Sequence, residues 1–283
     1  MQSTKSQSAM EYLMTYGWSI LIVAVVLGAL SFLGVFNPIT FAPKASAGGC
    51  QVIRNTELGI SNLVGSCNNQ VPQYVAQFNG QNSIITSTHI FPEYITITAW
   101  IKPSSNTIGT IVAENGPYYL AFGNSQISKS DCVGGGVLPS GTWIWLCGNS
   151  KVQINSWSQI AMTYDGSNES VYLNGKLDGY LSTNGPLHTN GGQSLRMGWG
   201  DPGYNQYFNG YISNVQIYNT SLSNSSIKLL YQEGIGGAPI NLQDLKLWYP
   251  LNGDASDYSG NDNNGVSRNV SFTSDWYGGY TQP

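Results

Sequence analysis

The most apolar stretch of the chain lies near its N-terminus. Residues 17–36 read GWSILIVAVVLGALSFLGVF, and no charged residue occurs from Tyr12 to Phe41. Such a run predicts a helix long enough to cross a hydrocarbon core about 30 Å thick. Asn37-Pro38 ends the predicted helix, because proline disfavours helical geometry in the residue before it.

Beyond this helix the pattern changes to short strands separated by turns. Residues 94–101 (YITITAWI) alternate, which places Ile95, Ile97, Ala99 and Ile101 on one face. Further strands are predicted at 75–78, 157–164, 171–173, 195–198 and 211–218. Hairpin turns are predicted at Asn79-Gly80, Asp165-Gly166 and Asn174-Gly175. One short helix is predicted at 223–232, so the fold class is mainly β: an N-terminal hydrophobic α-helix followed by an antiparallel two-sheet sandwich or jelly roll.

The composition narrows the possible functions. Only 9% of the 283 residues are charged and the net charge is −4, which argues against nucleic-acid binding because that function needs a basic surface. Apolar residues make up 41% and aromatic residues 12%, which argues against disorder. The 34 glycines are typical of a chain with many turns.

The residues in front of the helix carry a motif. Residues 5–13 read KSQSAMEYL and closely resemble the N-terminus of archaeal type IV pilin-like proteins with a class III signal peptide. The resemblance implies that a prepilin peptidase cleaves between Ser6 and Gln7, although the family commonly has Gly or Ala at the position of Ser6. Two alternatives are a signal peptide cleaved after residues 45–47 (ASA) and an uncleaved signal anchor.

Glu11 becomes the fifth residue of the mature chain if this cleavage occurs. An unpaired carboxylate in an apolar bundle costs several kcal/mol. The new α-amino group of Gln7 on a neighbouring subunit could neutralise it and so fix the stagger between subunits. In the alternative, Glu11 lies among lipid headgroups and is hydrated.

The cysteines and glycosylation sequons all follow the helix. Four cysteines allow three pairings, and we favour nearest neighbours, Cys50–Cys67 and Cys132–Cys147, which close two short loops of similar size. Disulfides favour an exported domain. The chain has N-glycosylation sequons at Asn168, Asn219, Asn224 and Asn269. We therefore expect the protein at the cell membrane and cell surface, with the outer domain extracellular.

Residues 72–235 contain a second set of recognisable phrases. They are FNG at 78–80, WSQIAMTYDG at 157–166, VYLNGK at 171–176 and FNGYISNVQIY at 208–218. In this order they resemble a laminin-G-like domain of the concanavalin A-like lectins and glucanases. The resemblance implies a two-sheet jelly roll.

Residues 242–283 resemble the opening strand and loop of the same family, although they come last in this chain. About forty residues are too few for a second sandwich. We expect this segment to complete the sandwich of its own chain, and the alternative is insertion into the next subunit at a sheet edge.

Catalysis is not expected. Related glucanases use a Glu-x-Asp-x-x-Glu pattern, which this chain lacks, and its Glu residues after the helix are isolated. Glycan binding is expected instead, because sugars stack on aromatic rings. The candidate ligand-binding residues lie near turns: Trp143, Trp145, Trp199, Tyr204 and Tyr207. Trp100 and Trp157 are assigned to the core.

No cofactor is certain, and Ca²⁺ is the one considered. The densest cluster of oxygen ligands is Asp254, Asp257, Asn261 and Asp262, although its spacing does not match an EF-hand. In the alternative, these residues only form turns.

Five segments are predicted from these patterns: a leader (1–6), a pilin-like helix (7–37), a linker with a disulfide loop (38–71), a laminin-G-like sandwich (72–235) and the C-terminal segment (242–283). The predicted function is a pilin-like surface subunit that displays a lectin-like domain for adhesion to a glycan or surface protein. The expected partners are the membrane, further copies of the chain and the prepilin peptidase. The alternatives are a purely structural filament or envelope subunit and a membrane-anchored glycosidase.

Overall fold

The structure is a computed structural model that describes residues 4–33, 44–55, 59–68, 70–114, 116–188, 194–200 and 205–283. The chain divides into two units, residues 1–42 and residues 43–283.

The first unit is built on helix α1 (Thr4–Phe32). The helix begins three residues before the predicted start at residue 7, and residues 34–43 lie outside the described part of the chain. Large apolar side chains project from α1 without cover, and Trp18 and Ile20 are each 68% exposed. None of the helices in the described residues combines the length and apolarity that a membrane span requires.

The second unit consists mainly of strands, which confirms the predicted fold class. In chain order they are β1 (Lys44–Ala45), β2 (Cys50–Asn55), β3 (Ile60–Gly65), β4 (Val71–Pro72), β5 (Val75–Asn79), β6 (Ile84–Ser87), β7 (Ile95–Pro103), β8 (Gly109–Glu114), β9 (Tyr118–Asn124), β10 (Lys129–Val137), β11 (Ile144–Cys147), β12 (Ser158–Tyr164), β13 (Asn168–Leu173), β14 (Lys176–Ser182), β15 (Leu195–Met197), β16 (Asn209–Tyr218), β17 (Leu245–Tyr249), β18 (Val266–Arg268) and β19 (Ser271–Thr273). A short helix, α2 (Asn224–Gln232), follows β16.

Two large antiparallel sheets form the sandwich. The front sheet has the strand order β11-β10-β9-β8-β15-β6-β18. The back sheet has the order β14-β13-β12-β7-β16-β5-β19, and β17 also pairs with β16. Beside them, β1 pairs with β4 and β2 pairs with β3.

The core lies between the inner faces of the two sheets. On β7 the alternation places Ile95, Ile97, Ala99 and Ile101 in this core, and none of them is exposed. Val133 and Val137 of β10 enter the same core from the front sheet. The period-2 pattern of the sequence therefore defines the inner faces correctly.

The predicted hairpin turns have two different outcomes. Asn174-Gly175 joins β13 to β14, and both residues have positive φ, as a two-residue type I′ turn requires. The prediction for Asn79-Gly80 is wrong, because β5 lies in the back sheet and β6 in the front sheet. The Asn79 side chain accepts hydrogen bonds from the N–H groups of Gln81, Asn82 and Ser83, and this local turn carries the chain from one sheet to the other.

Much of the outer face of the back sheet is covered. Helix α2 is capped by Ser223, whose side chain accepts a hydrogen bond from the N–H of Ser226, and the helix buries Ile227 and Leu230. These two side chains belong to one apolar cluster with Ala161 of the sheet. The β2–β3 hairpin adds Val52 to the cluster.

Residues 274–283, the C-terminal tail, cover another part of this face. Trp276 is fully buried, and its ring packs edge-on against Trp157 of the sandwich at 6.1 Å. The Trp157 indole N–H donates to the Trp276 carbonyl oxygen at 2.9 Å. Lys102 Nζ donates to the carbonyl oxygens of Trp276 and Gly278.

The C-terminal segment joins both sheets of its own chain. Strand β17 pairs with β16, β18 with β6, and β19 with β5. This arrangement is the intramolecular one of the two alternatives.

The two disulfides are Cys50–Cys67 and Cys132–Cys147, the nearest-neighbour pairs. The first bridges the ends of the β2–β3 hairpin, and the second joins the neighbouring strands β10 and β11. No free cysteine remains among the described residues.

Candidate functional site

The outer face of the front sheet carries an open groove, here called the front groove. Its cavity volume is about 260 Å³, and the residues that line it include Tyr119, Ser125, Trp143, Trp145, Gly200 and Gln206. Unlike the back face, it has no helix or tail packed over it in the described residues.

One cross-strand row runs through the groove. Directly opposite pairs join Arg196 to Ala113, Ala113 to Tyr119, Tyr119 to Gly136 and Gly136 to Trp145. Residues that are opposite each other in neighbouring strands point to the same face. The sheet therefore brings together five positions that are far apart in the sequence.

Small residues keep the floor of this row low. A Cβ atom added to Gly136 would lie 2.6 Å from the Trp145 ring, so this ring occupies the space above the glycine. Gly200 is similarly close to Thr110 and Ala113, with added-Cβ distances of 2.8 and 2.9 Å. Glycine at these positions lets aromatic rings and a loop approach the sheet backbone closely.

Two tryptophans form one wall of the groove. The rings of Trp143 and Trp145 stack with centroids 4.7 Å apart and an interplanar angle of 12°. Tyr119 meets Trp145 edge-on at 5.6 Å. Both tryptophans are half-buried. Trp143 and Trp145 therefore lie on one face, as the alternation predicts. Their stacked rings leave exposed surface for a ligand.

Polar side chains beside this wall are fixed by a hydrogen-bond chain. The Tyr119 hydroxyl donates to Gln206 Oε1 at 2.6 Å, and Gln206 Nε2 donates to Ser125 Oγ at 2.6 Å. The hydroxyl of Thr110 lies 3.5 Å from that of Tyr119. Because both ends of the Gln206 amide have partners, its orientation is set before any ligand arrives.

A second aromatic pair lies next to the groove along the chain. Trp199 and Tyr207 stack at 5.3 Å with an interplanar angle of 8°, and the Arg196 guanidinium lies 5.3 Å from the Trp199 ring. Their sequence neighbours Gly200 and Gln206 line the groove. The remaining predicted ligand-binding residue, Tyr204, lies outside the described residues.

Glu114 is the carboxyl group that lines the front groove in the described part of the chain. It is fully buried, and its oxygens accept hydrogen bonds from the Ile90 N–H and the Tyr118 hydroxyl, while His89 Nδ1 lies 3.1 Å away. Burial raises its pKa above the usual value. Among the described residues, the groove therefore does not present the pair of carboxyl groups that glycoside hydrolysis uses. That the chain is not an enzyme stays a prediction.

Two of the candidate calcium ligands, Asp257 and Asn261, make hydrogen bonds within turns. Asp257 accepts hydrogen bonds from the N–H groups of Trp248, Ser259 and Asn263 and from the Ser259 hydroxyl. Asn261 donates its amide to the Leu245 and Lys246 carbonyl oxygens. The remaining predicted ligands are Asp254 and Asp262, and no metal-like group of three His, Cys, Asp or Glu side chains occurs in the described residues. The oxygens of Asp257 therefore serve turns, and a Ca²⁺ site in this cluster stays a prediction.

The other predicted sites are surface or N-terminal positions. Ser6, Gln7 and Glu11 belong to α1, but their side chains lie outside the described residues. Among the sequons, Asn224 and Asn269 are exposed, whereas Asn168 and Asn219 are half-buried.

Tyr119, Gln206 and Ser125 were not predicted as site residues. Tyr119 could have been predicted from the segment YYLAFGN at 118–124, because alternation places Tyr118 and Tyr119 on opposite faces and so directs one of them outward. Gln206 and Ser125 lie in loops, and no local pattern indicates which loop faces the sheet.

Comparison with known proteins agrees with the sandwich. Residues 78–228 match the laminin-G-like description of the concanavalin A-like lectin/glucanases superfamily. A candidate carbohydrate-binding protein from Bacteroides ovatus has a similar structure, with a TM-score of 0.59, 17% identity and coverage of 75% of this chain and 67% of that one. A heptameric SAP-like pentraxin from Limulus polyphemus gives a TM-score of 0.52, 13% identity and coverage of 70% and 94%.

No curated protein sequence matches the chain significantly. The family match lies wholly outside α1. The pilin-like identity of the N-terminus therefore stays a prediction.

Proposed function

The chain belongs to the concanavalin A-like lectin/glucanases superfamily, and from this premise we propose that its front groove binds a glycan. The observation that carries the proposal is the Trp143–Trp145 stack, which lies beside the oriented Gln206 amide on a floor of small residues. A pyranose ring has an apolar face for the indoles and hydroxyl groups for the amide network. The shared fold of the Bacteroides ovatus protein supports the proposal without carrying it.

The cross-strand row suggests how a glycan would lie. Trp145 and Tyr119 are two positions apart in this row, with Gly136 between them. Because the Trp145 ring covers Gly136 and meets Tyr119 edge-on, a sugar would lie on the exposed surface of these rings and not between them. Longer glycans would extend along the row toward Ala113 and Arg196.

Binding to an array of glycans tests this proposal with the full chain. We expect Trp143→Ala and Trp145→Ala to weaken binding to any glycan retained by the wild type at least about 30-fold, because a central aromatic contact contributes about 2 kcal/mol or more. Tyr94→Ala is the matched control, since Tyr94 is 40% exposed and does not line the groove. Equal binding by wild type and both tryptophan variants would reject the front groove as the site.

The role of α1 completes the proposed function: a pilin-like subunit that displays the sandwich at the cell surface. Support comes from residues 5–13 and from the uncovered apolar side chains of α1, such as Ile20 and Leu21. Copies of α1 that pack together would bury these side chains. The membrane anchor, the prepilin peptidase and the extracellular location belong to this same proposal.

The mature N-terminus and filament yield test this part. We expect mass spectrometry to find a chain that starts at Gln7, and we expect Glu11→Ala to reduce assembled filaments. A start at Met1 or Gly48 would contradict the pilin-like processing. Filaments at normal yield from Glu11→Ala would remove its register role. Filaments without glycan binding by the wild type would favour the purely structural alternative.

A further inference from the structure

A second groove lies on the outer face of the back sheet, at the N-terminal end of α2. It is called the edge groove, has a volume of about 400 Å³, and is lined by residues that include Ser170, Tyr172, Leu177, Tyr180, Leu222 and Asn224. Strand β14 forms the edge of the back sheet at this point. The edge groove and the front groove have no lining residue in common.

The edge groove exposes large apolar side chains. Tyr180 is 67% exposed and Leu177 is 46% exposed, and both lie on β14. Soluble proteins usually protect apolar edge strands, because an open edge can pair with another chain. In the described residues, only the start of α2 reaches this part of the face.

Two of the four sequons border this one groove. Asn168 opens β13 and Asn224 opens α2, and both line the groove although they are distant in the sequence. The other two sequons lie elsewhere: Asn219 lines a different cleft, and Asn269 lies in the exposed connection between β18 and β19.

The side chain of Asn224 is arranged in a way that permits modification. It is exposed, and its Oδ1 accepts a hydrogen bond from the Tyr172 hydroxyl at 2.7 Å. Its Nδ2, the atom that takes sugar in N-glycosylation, makes no hydrogen bond to the described residues. A glycosylated amide keeps its carbonyl oxygen, so the contact with Tyr172 survives the modification. Asn168 is less free, because its Nδ2 lies 3.4 Å from Asp165 Oδ2.

We propose that an N-linked glycan on Asn224, with Asn168 as a second acceptor, covers the edge groove by packing on Tyr180 and Leu177. The donor is an oligosaccharide joined to a lipid phosphate. The bond between the sugar C1 and the phosphate oxygen breaks, the bond between C1 and Nδ2 forms, Nδ2 loses one proton, and the lipid phosphate leaves. The glycan thus places polar sugar over the exposed apolar side chains of Tyr180 and Leu177.

Variants of Ser226 provide the test, because Ser226 is the third residue of the sequon and leaves Asn224 itself unchanged. In protein purified from its native cells, we expect glycopeptide mapping to find sugar on Asn224. Ser226→Ala should remove that sugar and raise the rate of Tyr180 nitration several-fold. Ser226→Thr preserves the sequon and should leave both the glycan and the nitration rate as in the wild type.

Asn269→Gln is the control for glycan loss at a distant site, and it should leave Tyr180 nitration unchanged. Wild-type protein that carries no sugar on either Asn224 or Asn168 would overturn the proposal. A glycan whose removal does not change Tyr180 nitration would also overturn it. If Tyr180 of an unglycosylated protein is protected only in dimers, the groove belongs to a second copy of the chain.

Discussion

The two outer faces of the sandwich differ in how far their outward side chains are covered. On the back face, large aromatic residues such as Trp100, Tyr172 and Trp248 lie beneath α2, the β2–β3 hairpin and the C-terminal tail. On the front face, the small residues Ala113 and Gly136 alternate with the rings of Tyr119 and Trp145, and a groove stays open. Large outward rings favour a covering layer because their burial is strongly stabilising, whereas small residues leave room for a ligand.

The largest expected effect is on the covered face. Trp276→Ala removes a fully buried ring that contacts Trp157, Tyr277 and Tyr280. We expect it to lower the free energy of unfolding by about 3 kcal/mol, at the low end of the usual range for buried tryptophan. The loss is moderated because the Trp276 indole N–H is itself buried without an acceptor in the described residues. Denaturant unfolding measures this change.

Trp143→Ala is the front-face counterpart of that variant. Because Trp143 is half-buried, we expect its truncation to change stability much less than it changes glycan binding. Trp276→Ala should show the reverse, with glycan affinity retained once the protein is folded. Equal losses of stability from the two variants would remove the distinction between a structural back face and a binding front face.

The second-largest expected effect comes from Glu169, a carboxyl group buried between the two sheets. Glu169 is fully buried, neither of its carboxylate oxygens has a hydrogen-bond partner among the described residues, and its Oε1 would lie 2.4 Å from a Cβ added to Gly135 of the front sheet. Burial raises its pKa to about 8 from the ordinary 4.5. The carboxyl group of Glu169 therefore stays protonated in the folded protein at pH values where the unfolded chain has released the proton.

The raised pKa of Glu169 makes the folded protein less stable as the pH increases. The contribution of the Glu169 proton to the free energy of unfolding is fully present below about pH 4.5. It falls as the pH rises toward about 8, where the folded state also loses the proton. We expect the free energy of unfolding to drop by about 2–3 kcal/mol between pH 4.5 and 7 on account of this group. Urea unfolding at several pH values measures the drop.

Glu169→Gln isolates this contribution, because the amide is neutral at every pH in the series. The variant should lose most of the downward slope, although Glu114, whose pKa is also raised by burial, will leave part of it. Glu93→Gln is the control at an exposed position and should keep the wild-type slope. Parallel slopes for wild type and Glu169→Gln would show that this carboxyl group is not buried in the folded protein.

Much of the fold could be predicted because its signals are local. Alternation at 94–101 defines the inner face of β7, and Asn174-Gly175 defines the β13–β14 hairpin. The hairpin predicted at Asn79-Gly80 is wrong because the same dipeptide also suits a turn between two sheets. The pairing of β5 with β16 and β19 determines which of the two turns forms. Alternation likewise did not show that Trp100 is covered, since the cover comes from distant segments.

The candidate site was predictable only in part. Trp143 and Trp145 stand two residues apart, so their common face follows from strand geometry. Their position beside Gly136 and Tyr119 depends on the register of three strands, which no local pattern specifies. The calcium site stays a prediction, because a dense oxygen cluster such as Asp254 to Asp262 serves turns as readily as it serves a metal.

The smallest expected effect tests how much the α2 cover contributes to the back face. Ser223 caps this helix, and its side chain accepts a hydrogen bond from the Ser226 N–H at 3.2 Å. Ser223→Ala should lower the free energy of unfolding by about 1 kcal/mol, the usual value of an N-cap, and Ser223→Asp should retain it. Glycan binding in the front groove should be the same in both variants, because α2 lies on the opposite side of the sandwich. If Ser223→Ala weakens glycan binding at unchanged stability, the two faces are coupled and the cover is part of the site.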